Sequence, residues 1–336
     1  MIAVVKPGTT QRQLENLVSW LEGKGLEVNI SKGSEATIVG LIGDTSRVDA
    51  SLLESMGIIE GVTRVTEPFK AANRKFHPAD TKVQIAPGVC MGAGDFQVMA
   101  GPCAIEGDGF LQLARAVKAA GATVLGGGAF LPRTSPYADQ GLGERGLDLL
   151  CQARSELCMP VVSEIMEASQ VPLFEKYGID LWQVGPQNMQ NYSLLKEIGR
   201  AGRPVLLKRA CAASVDELLM SAEYVMAQGN PNVILCECGI RTFEGRTPNT
   251  FDLNAVPVLH QLTHLPVMAD PSRGTGHARY VGPMALAATA AGADGLMVEV
   301  HDNPGQAQAG AAQALLPQQF AEVTARARSV RQALGE

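Results

Sequence analysis

The sequence lacks the features that mark several large classes of protein. It has no surplus of positive charge: 28 Lys and Arg stand against 34 Asp and Glu, a formal charge of −6. Nucleic acids and membrane surfaces both select basic patches, so this balance argues against either partner. No apolar run reaches the roughly 18 to 20 residues that a membrane-spanning helix needs. The start, Met1 to Gly8, reads as a strand and lacks the basic, apolar and small-residue layout of a secretory signal. The seven cysteines include no C-x-x-C pair, which fits neither a disulfide framework nor a zinc ribbon. No G-x-G-x-x-G follows a strand-like run, and Gly126-Gly127-Gly128 is a glycine turn without that spacing. The expectation is a protein of the reducing cytoplasm with a small-molecule substrate.

What is present is an ordinary globular mix over 336 residues, 46% hydrophobic and 18% charged, long enough for about two domains. Residues 1–68 read as a small βαββαβ, ferredoxin-like unit. IAVV, LEVNI, ATIVGLIG (ended by Gly43-Asp44) and VTRV are its strands. Leu14, Val18 and Leu21 mark one helix, stopped at Gly25, and residues 48–56 a second. Residues 69–95 read as a linker and a hairpin, VQIA followed by GDFQVMA. From residue 96 to 336 the chain repeats strand, loop and helix, with strands predicted at Gln97–Met99, Thr123–Leu125, Pro160–Glu164, Asp180–Val184, Pro204–Lys208, Asn232–Glu237, Pro266–Asp270 and Gly295–Val300. Eight such alternations predict an α/β fold, an eight-stranded βα (TIM) barrel, with a doubly wound open sheet as the other possibility.

Polar residues gather at the C-terminal ends of these strands, where barrel enzymes build their sites. Cys103 follows the first, Glu164 ends the third, Gln183 lies near the end of the fourth, and Lys208 with Arg209 ends the fifth. Glu237, Asp270, Glu299 and His301 close the last three. A strand-end lysine such as Lys208 can bind a phosphate or carboxylate, form a Schiff base, or simply pair with Glu237 or Asp270. Arg133-Thr134-Ser135 offers a guanidinium and two hydroxyls to phosphate oxygens, or is an ordinary polar turn. Cys103, Asp270, Glu299 and His301 are all of metal-ligating type, although a free cysteine usually packs as a small hydrophobe. Cys236 and Cys238 sit at i and i+2 and should face one side, as ligands or as buried apolar positions.

Several segments carry a family resemblance: MIAVVKPGTT, RKFHPAD, AGPCAIE, GGGAFLPRTSPYADQGLGERGL, GPQNMQN, PVLLKR, NVILCECGIRTFE, HLPVMADPSRGTG and GADGLMVEVH. They resemble the 3-deoxy-D-arabino-heptulosonate 7-phosphate (DAHP) synthases, in the microbial subgroup with a ferredoxin-like front domain. The resemblance runs from Met1 to about Phe320. It implies a TIM barrel, a cytoplasmic homo-oligomer (tetramer or dimer), and condensation of phosphoenolpyruvate (PEP) with erythrose 4-phosphate using a divalent metal. It also implies feedback control by aromatic amino acids through the front domain.

Several motif positions depart from the family pattern. Of its Cys, His, Glu and Asp metal ligands, Cys103 and Glu299 match, while Arg273 stands at the His and Gly310 at the Asp. A guanidinium has no lone pair to give a metal. Basic positions of the PEP pocket hold Gly126, Leu131, Gln187 and Cys238, leaving Lys208. Charge-assisted bonds contribute roughly 1.5–3 kcal/mol each. Their loss predicts a repurposed relative, a metal-independent lyase or transferase acting on a small carboxylate or sugar-phosphate-like substrate other than PEP. Lys208 would be its charged or covalent catalyst, with Glu237, Asp270 and Glu299 as acid–base groups. Substrate would meet Arg133, Thr134, Ser135, Glu164, Gln187, Arg209, Arg241, Arg273 and His301. No cofactor is expected on this reading. The alternatives are a non-catalytic ligand-binding or regulatory relative, and a DAHP synthase with a rebuilt site, in which Cys238 is a ligand and Arg273 an anion holder. A divalent Mn, Zn or Fe belongs to that last reading.

Overall fold

Residues 1–336 were described in a computed structural model, except 34–36, 44, 46–47, 64–66, 108 and 336. Asp44 and part of the predicted VTRV strand therefore lie outside the described residues. The chain forms two compact units, Met1–Asp80 with Gln261–His264, and Thr81–His260 with Leu265–Glu336.

The first unit has strands β1 (Ile2–Val5), β2 (Glu27–Lys32), β3 (Thr37–Ile42) and β4 (Ile59–Thr63) in one antiparallel sheet ordered β2-β3-β1-β4. Helices Gln11–Glu22 and Ala50–Glu54 complete the βαββαβ order. A capping box starts the first helix, with the Thr10 N–H donating to Gln13 Oε1 at 2.9 Å. Its buried stripe is Leu14, Leu17 and Leu21. Leu17, three residues from Leu14 and four from Leu21, takes the central place and leaves Val18 half-buried at the stripe's edge. These leucines pack on Ala3, Val39, Leu41, Leu53 and Ile59, and burying each stabilises the unit by roughly 1.5–3 kcal/mol. The second helix is shorter than its apolar pattern predicts, five residues behind an Asp49 cap.

In the second unit, β5 (Val83–Ala86) pairs with β6 (Val89–Met91) as the hairpin. The predicted partner GDFQVMA instead supplies β7 (Gln97–Gly101), the first barrel strand. The others are β8 (Val124–Gly126), β9 (Val161–Glu164), β10 (Leu181–Val184), β11 (Val205–Lys208), β12 (Val233–Glu237), β13 (Val267–Ala269) and β14 (Gly295–Glu299). All eight pair in parallel and β14 returns to β7, closing the barrel. Met99, Val124, Val162, Leu181, Leu206, Ile234 and Met268 pack together as its interior, joined by Val83, Ile85 and Met91 of the hairpin. The hairpin lies at the N-terminal end, where Gln97 Nε2 donates to the Cys90 carbonyl. The opposite, C-terminal end is left for the site.

Side chains alternate along a strand, so residues two and four beyond an interior position also point inward. From Val162, Leu181, Leu206, Met268 and Met297, that parity directs Glu164, Gln183, Lys208, Asp270 and Glu299 into the barrel mouth. From Ile234 it directs Cys236 and Cys238 inward, and both pack in the interior cluster. Arg209 and Glu237 have the opposite parity and point to the outer layer.

Candidate active site

A cavity of about 300 Å³ opens at the C-terminal end of the barrel. Cys103, Arg133, Glu164, Gln187, Lys208, Arg273 and Glu299 line it, together with Gly126, Leu131, Gln183, Gly310 and Gln313.

Lys208 is buried at the end of β11, and its Nζ donates to Asp270 Oδ2 at 2.5 Å and to Met297 Sδ at 3.4 Å. Burial is the largest single effect and lowers its pKa, but the charges facing it, Asp270 foremost, together reverse this and the pKa is raised. Lys208 is therefore a fixed cation rather than a neutral amine, which is the wrong state for attacking a carbonyl. Asp270 also caps the short helix Pro271–Thr275, accepting the Arg273 N–H on Oδ1 at 2.9 Å. Pro271 at the first helical position suits this start. Asn249 Nδ2 donates to the Arg273 carbonyl at 2.9 Å, and Ser272 Oγ accepts the Glu299 N–H at 2.9 Å. The backbone of Arg273 is thus pinned on both sides, while its guanidinium has no hydrogen bond or ion pair among the described residues.

The carboxylates of the cavity are less well satisfied. Glu164 Oε2 accepts from Gln183 Nε2 at 3.1 Å, but its buried Oε1 has no partner among the described residues. Any side chain at Gly185 would collide with that oxygen. Glu299 Oε1 accepts from Gln313 Nε2 at 2.6 Å, while its buried Oε2 has no partner among the described residues. Burial raises the pKa of Glu164, against the pull of Lys208. Burial, and then Asp270, push Glu299 up to about 7. Burial, with Glu299 nearby, also raises the Cys103 thiol. Each unpartnered oxygen marks a place where a ligand or proton belongs.

The other predicted residues lie around this centre. Arg133 is tied across the rim, donating through Nε to the Asp139 carbonyl at 3.0 Å and through a terminal nitrogen to that of Gln308 at 3.3 Å. Thr134 and Ser135 beside it are exposed. Arg209 bridges Glu237 and Asp252, each at 2.9 Å, and Glu237 also accepts the Gly239 N–H at 2.8 Å. All three residues are absent from the cavity wall, as strand parity requires for Arg209 and Glu237. Arg241 is exposed, its backbone N–H donating to the Cys211 carbonyl at 2.7 Å. His301 lies beyond β14, its Nε2 3.2 Å from Glu106 Oε2. Cys238 Sγ donates to the Arg209 carbonyl at 3.2 Å in the interior. Sequence reasoning did not find Gln313, Ser272 or Asp252. The first two meet Glu299 through tertiary folding, with no spacing signal, while Asp252 lies within a run that only its partner Arg209 explains.

The donor set does not fit a divalent cation. Cys103 and Glu299 adjoin, and a Cβ at Gly310 (φ +71°) would collide with Glu299 Oε2 and the Cys103 Cβ. Residue 310 therefore faces this pair but offers it no donor atom. Among the described residues no three His, Cys, Asp or Glu side chains are grouped to hold a metal ion. Arg273 adds a fixed positive charge. At ~4 Å and an effective dielectric of ~20, it would oppose a divalent ion by about 8 kcal/mol.

Comparison with known proteins identifies the architecture. Residues 76–335 match the DAHP synthetase I family and residues 1–67 the DAHP synthase ferredoxin-like domain. The chain is 42% identical to a phospho-2-dehydro-3-deoxyheptonate aldolase of Thermotoga maritima, covering 100% of this chain and 99% of that protein. A crystal structure of the Thermotoga maritima DAHP synthase superposes with a TM-score of 0.78 over 99% of this chain and 98% of that one. A 2-dehydro-3-deoxyphosphooctonate aldolase of Syntrophobacter fumaroxidans is 30% identical over 66% of this chain and 82% of its own length. The full-length match overturns the expectation of a repurposed lyase or transferase with a substrate other than PEP, and favours a working DAHP synthase. The expectation rested on counting the cations lost from the pocket, and that count says nothing of the groups that remain open to hold the donor. No helix among the described residues is long and apolar enough to cross a membrane. The chain is an enzyme of the DAHP synthetase I family.

Proposed function

We propose that this chain condenses PEP with erythrose 4-phosphate to give a phosphorylated 2-dehydro-3-deoxyheptonate. The observation that carries the reading is the barrel-mouth cavity, in which Lys208, Arg273 and Arg133 share one wall with two carboxylates that have unpartnered oxygens. Chemically, the enol C=C pair attacks the aldehyde carbon and forms the new C–C bond. The aldehyde oxygen takes a proton, water adds at the former enol carbon, and the C–O bond to phosphate breaks to leave a ketone and inorganic phosphate. Lys208, kept charged by Asp270, and part of the Arg273 fork hold the carboxylate and phosphate of the donor, which leaves further Arg273 N–H groups for the aldehyde oxygen. Arg133, Thr134 and Ser135 receive the phosphate of the aldose at the rim. Glu164 and Glu299, whose pKa values are raised, are suited to exchange protons with the aldehyde oxygen and the attacking water.

Gly126, Leu131, Gln187 and Cys238 bring no cation to the donor, so PEP should be held weakly and the KM for PEP should be high. The test follows phosphate release and product mass with both reactants saturating. Stoichiometric phosphate and a seven-carbon product are expected. Absence of that product would overturn the assignment.

The same reading carries a cytoplasmic homo-oligomer, tetramer or dimer, and an aromatic amino acid as effector of the front unit. Sedimentation with and without Phe, Tyr or Trp checks both the oligomer and the effector.

A further inference from the structure

The guanidinium of Arg273 is the one cation on the cavity wall that has no hydrogen-bonded partner among the described residues. Lys208 is bound to Asp270, and Arg133 to two rim carbonyls. The Arg273 backbone is held by Asp270 Oδ1 and by Asn249 Nδ2. Its helix is packed so closely that a Cβ at Gly274 would strike Phe251 and one at Gly276 would strike Pro248. The charged head is therefore carried on a fixed base while its five N–H donors remain unused. The carboxylates whose charge it feels are Asp270, Glu164 and Glu299. Glu299 keeps an oxygen that has no partner among the described residues, beside Cys103 and against the bare backbone of Gly310.

We propose that Arg273 is the resident cation of this site: its guanidinium takes the place of a divalent ion beside Cys103 and Glu299, and is a catalytic residue holding the aldehyde oxygen as that oxygen turns negative. Exclusion of the ion stands on the donor set alone, while the catalytic role rests on the reaction proposed above. A fixed guanidinium can do this work because it is permanently charged and its N–H groups are oriented before the reaction begins. It cannot accept the aldehyde oxygen's electrons as a ligand bond, so stabilisation comes from hydrogen bonds and charge, and the proton comes from a neighbouring carboxylic acid. The substitution that removes a ligand is thus also the one that supplies the replacement charge.

The test titrates Mn²⁺ into the full chain and counts free ion by electron paramagnetic resonance, for wild type and for Arg273→His, with circular dichroism confirming the fold. Wild type should bind no stoichiometric Mn²⁺. Arg273→His, which offers an imidazole beside Cys103 and Glu299, should bind one ion per chain. Stoichiometric Mn²⁺ on wild type would overturn the proposal, and so would a folded Arg273→His that binds no more than wild type. If that variant does not fold, the wild-type stoichiometry decides. In parallel, turnover of PEP with erythrose 4-phosphate should persist in excess chelator and fall at least ~100-fold in Arg273→Gln. Turnover that requires added Mn²⁺ would overturn the proposal. No turnover under any condition would overturn the assigned reaction and the catalytic role of Arg273, and ion binding would still decide whether Arg273 excludes the metal.

Discussion

The two charge clusters at the C-terminal end of the barrel are built on opposite principles. Around β11 to β13, charges are matched: Lys208 with Asp270 inside the mouth, and Arg209 with Glu237 and Asp252 outside it. Around β9, β14 and the helix after β13, charges are left open: among the described residues one oxygen each of Glu164 and Glu299, and the Arg273 guanidinium, have no partner. Matched buried charges hold strand ends in place, and losing one partner is costly. Open ones hold the site at some cost to stability, and that cost is recovered when substrate binds. The first cluster is framework and the second is function, although residue type alone does not distinguish them.

The largest effect should come from Lys208→Met, because Lys208 belongs to the matched cluster and also lines the cavity. It removes a cavity cation and strands Asp270, so it should cost about 3–5 kcal/mol of stability and at least ~100-fold in kcat/KM. Urea unfolding and steady-state kinetics read the two. Arg209→Met should cost a comparable 3–5 kcal/mol or so while leaving turnover per folded molecule nearly unchanged. An equal loss of turnover would break the division between framework and function.

Glu299→Gln tests the open side by its pH dependence. Burial raises the pKa of Glu299 from 4.5 to about 7. Between those values the unfolded chain has lost the proton and the folded chain keeps it, so stability falls as pH rises through that window and levels off above it. Glutamine cannot titrate and can still accept from Gln313. The variant should therefore gain about 3 kcal/mol on wild type between pH 4 and pH 8, measured by chemical denaturation at the two pH values. The smallest effect belongs to the rim, where Arg133→Ala should raise the KM for erythrose 4-phosphate about tenfold, the equivalent of ~1.4 kcal/mol.

Much of this was legible in the sequence. The eight strands were predicted close to their observed positions because buried parallel strands are apolar runs bounded by turns. The front unit was read from its strand and helix order, with Leu14 and Leu21 placed correctly and Val18 taken for the central position that Leu17 holds. Period-two parity would also have separated Lys208, Asp270 and Glu299 from Arg209 and Glu237, since each can be counted from an interior Leu206, Met268, Met297 or Ile234. Grouping all strand-end residues together blurred that distinction. The partnership of Gln313 with Glu299 was not legible, because it depends on how a loop without regular structure returns to the mouth. Nor was the pinned backbone of Arg273, which needs Asn249 and Asp270 from separate segments. The consequence of the substituted pocket positions was misjudged because a count of lost charges says nothing of which remaining groups stand open.

The most direct test of the account is calorimetric titration of PEP into wild type, Arg273→Gln and Arg241→Gln. Arg273 lines the cavity, and Arg241 is exposed outside it. The account predicts that PEP binds wild type and Arg241→Gln equally, and Arg273→Gln at least ~10-fold more weakly. Equal binding by all three, or a loss confined to Arg241→Gln, would contradict it.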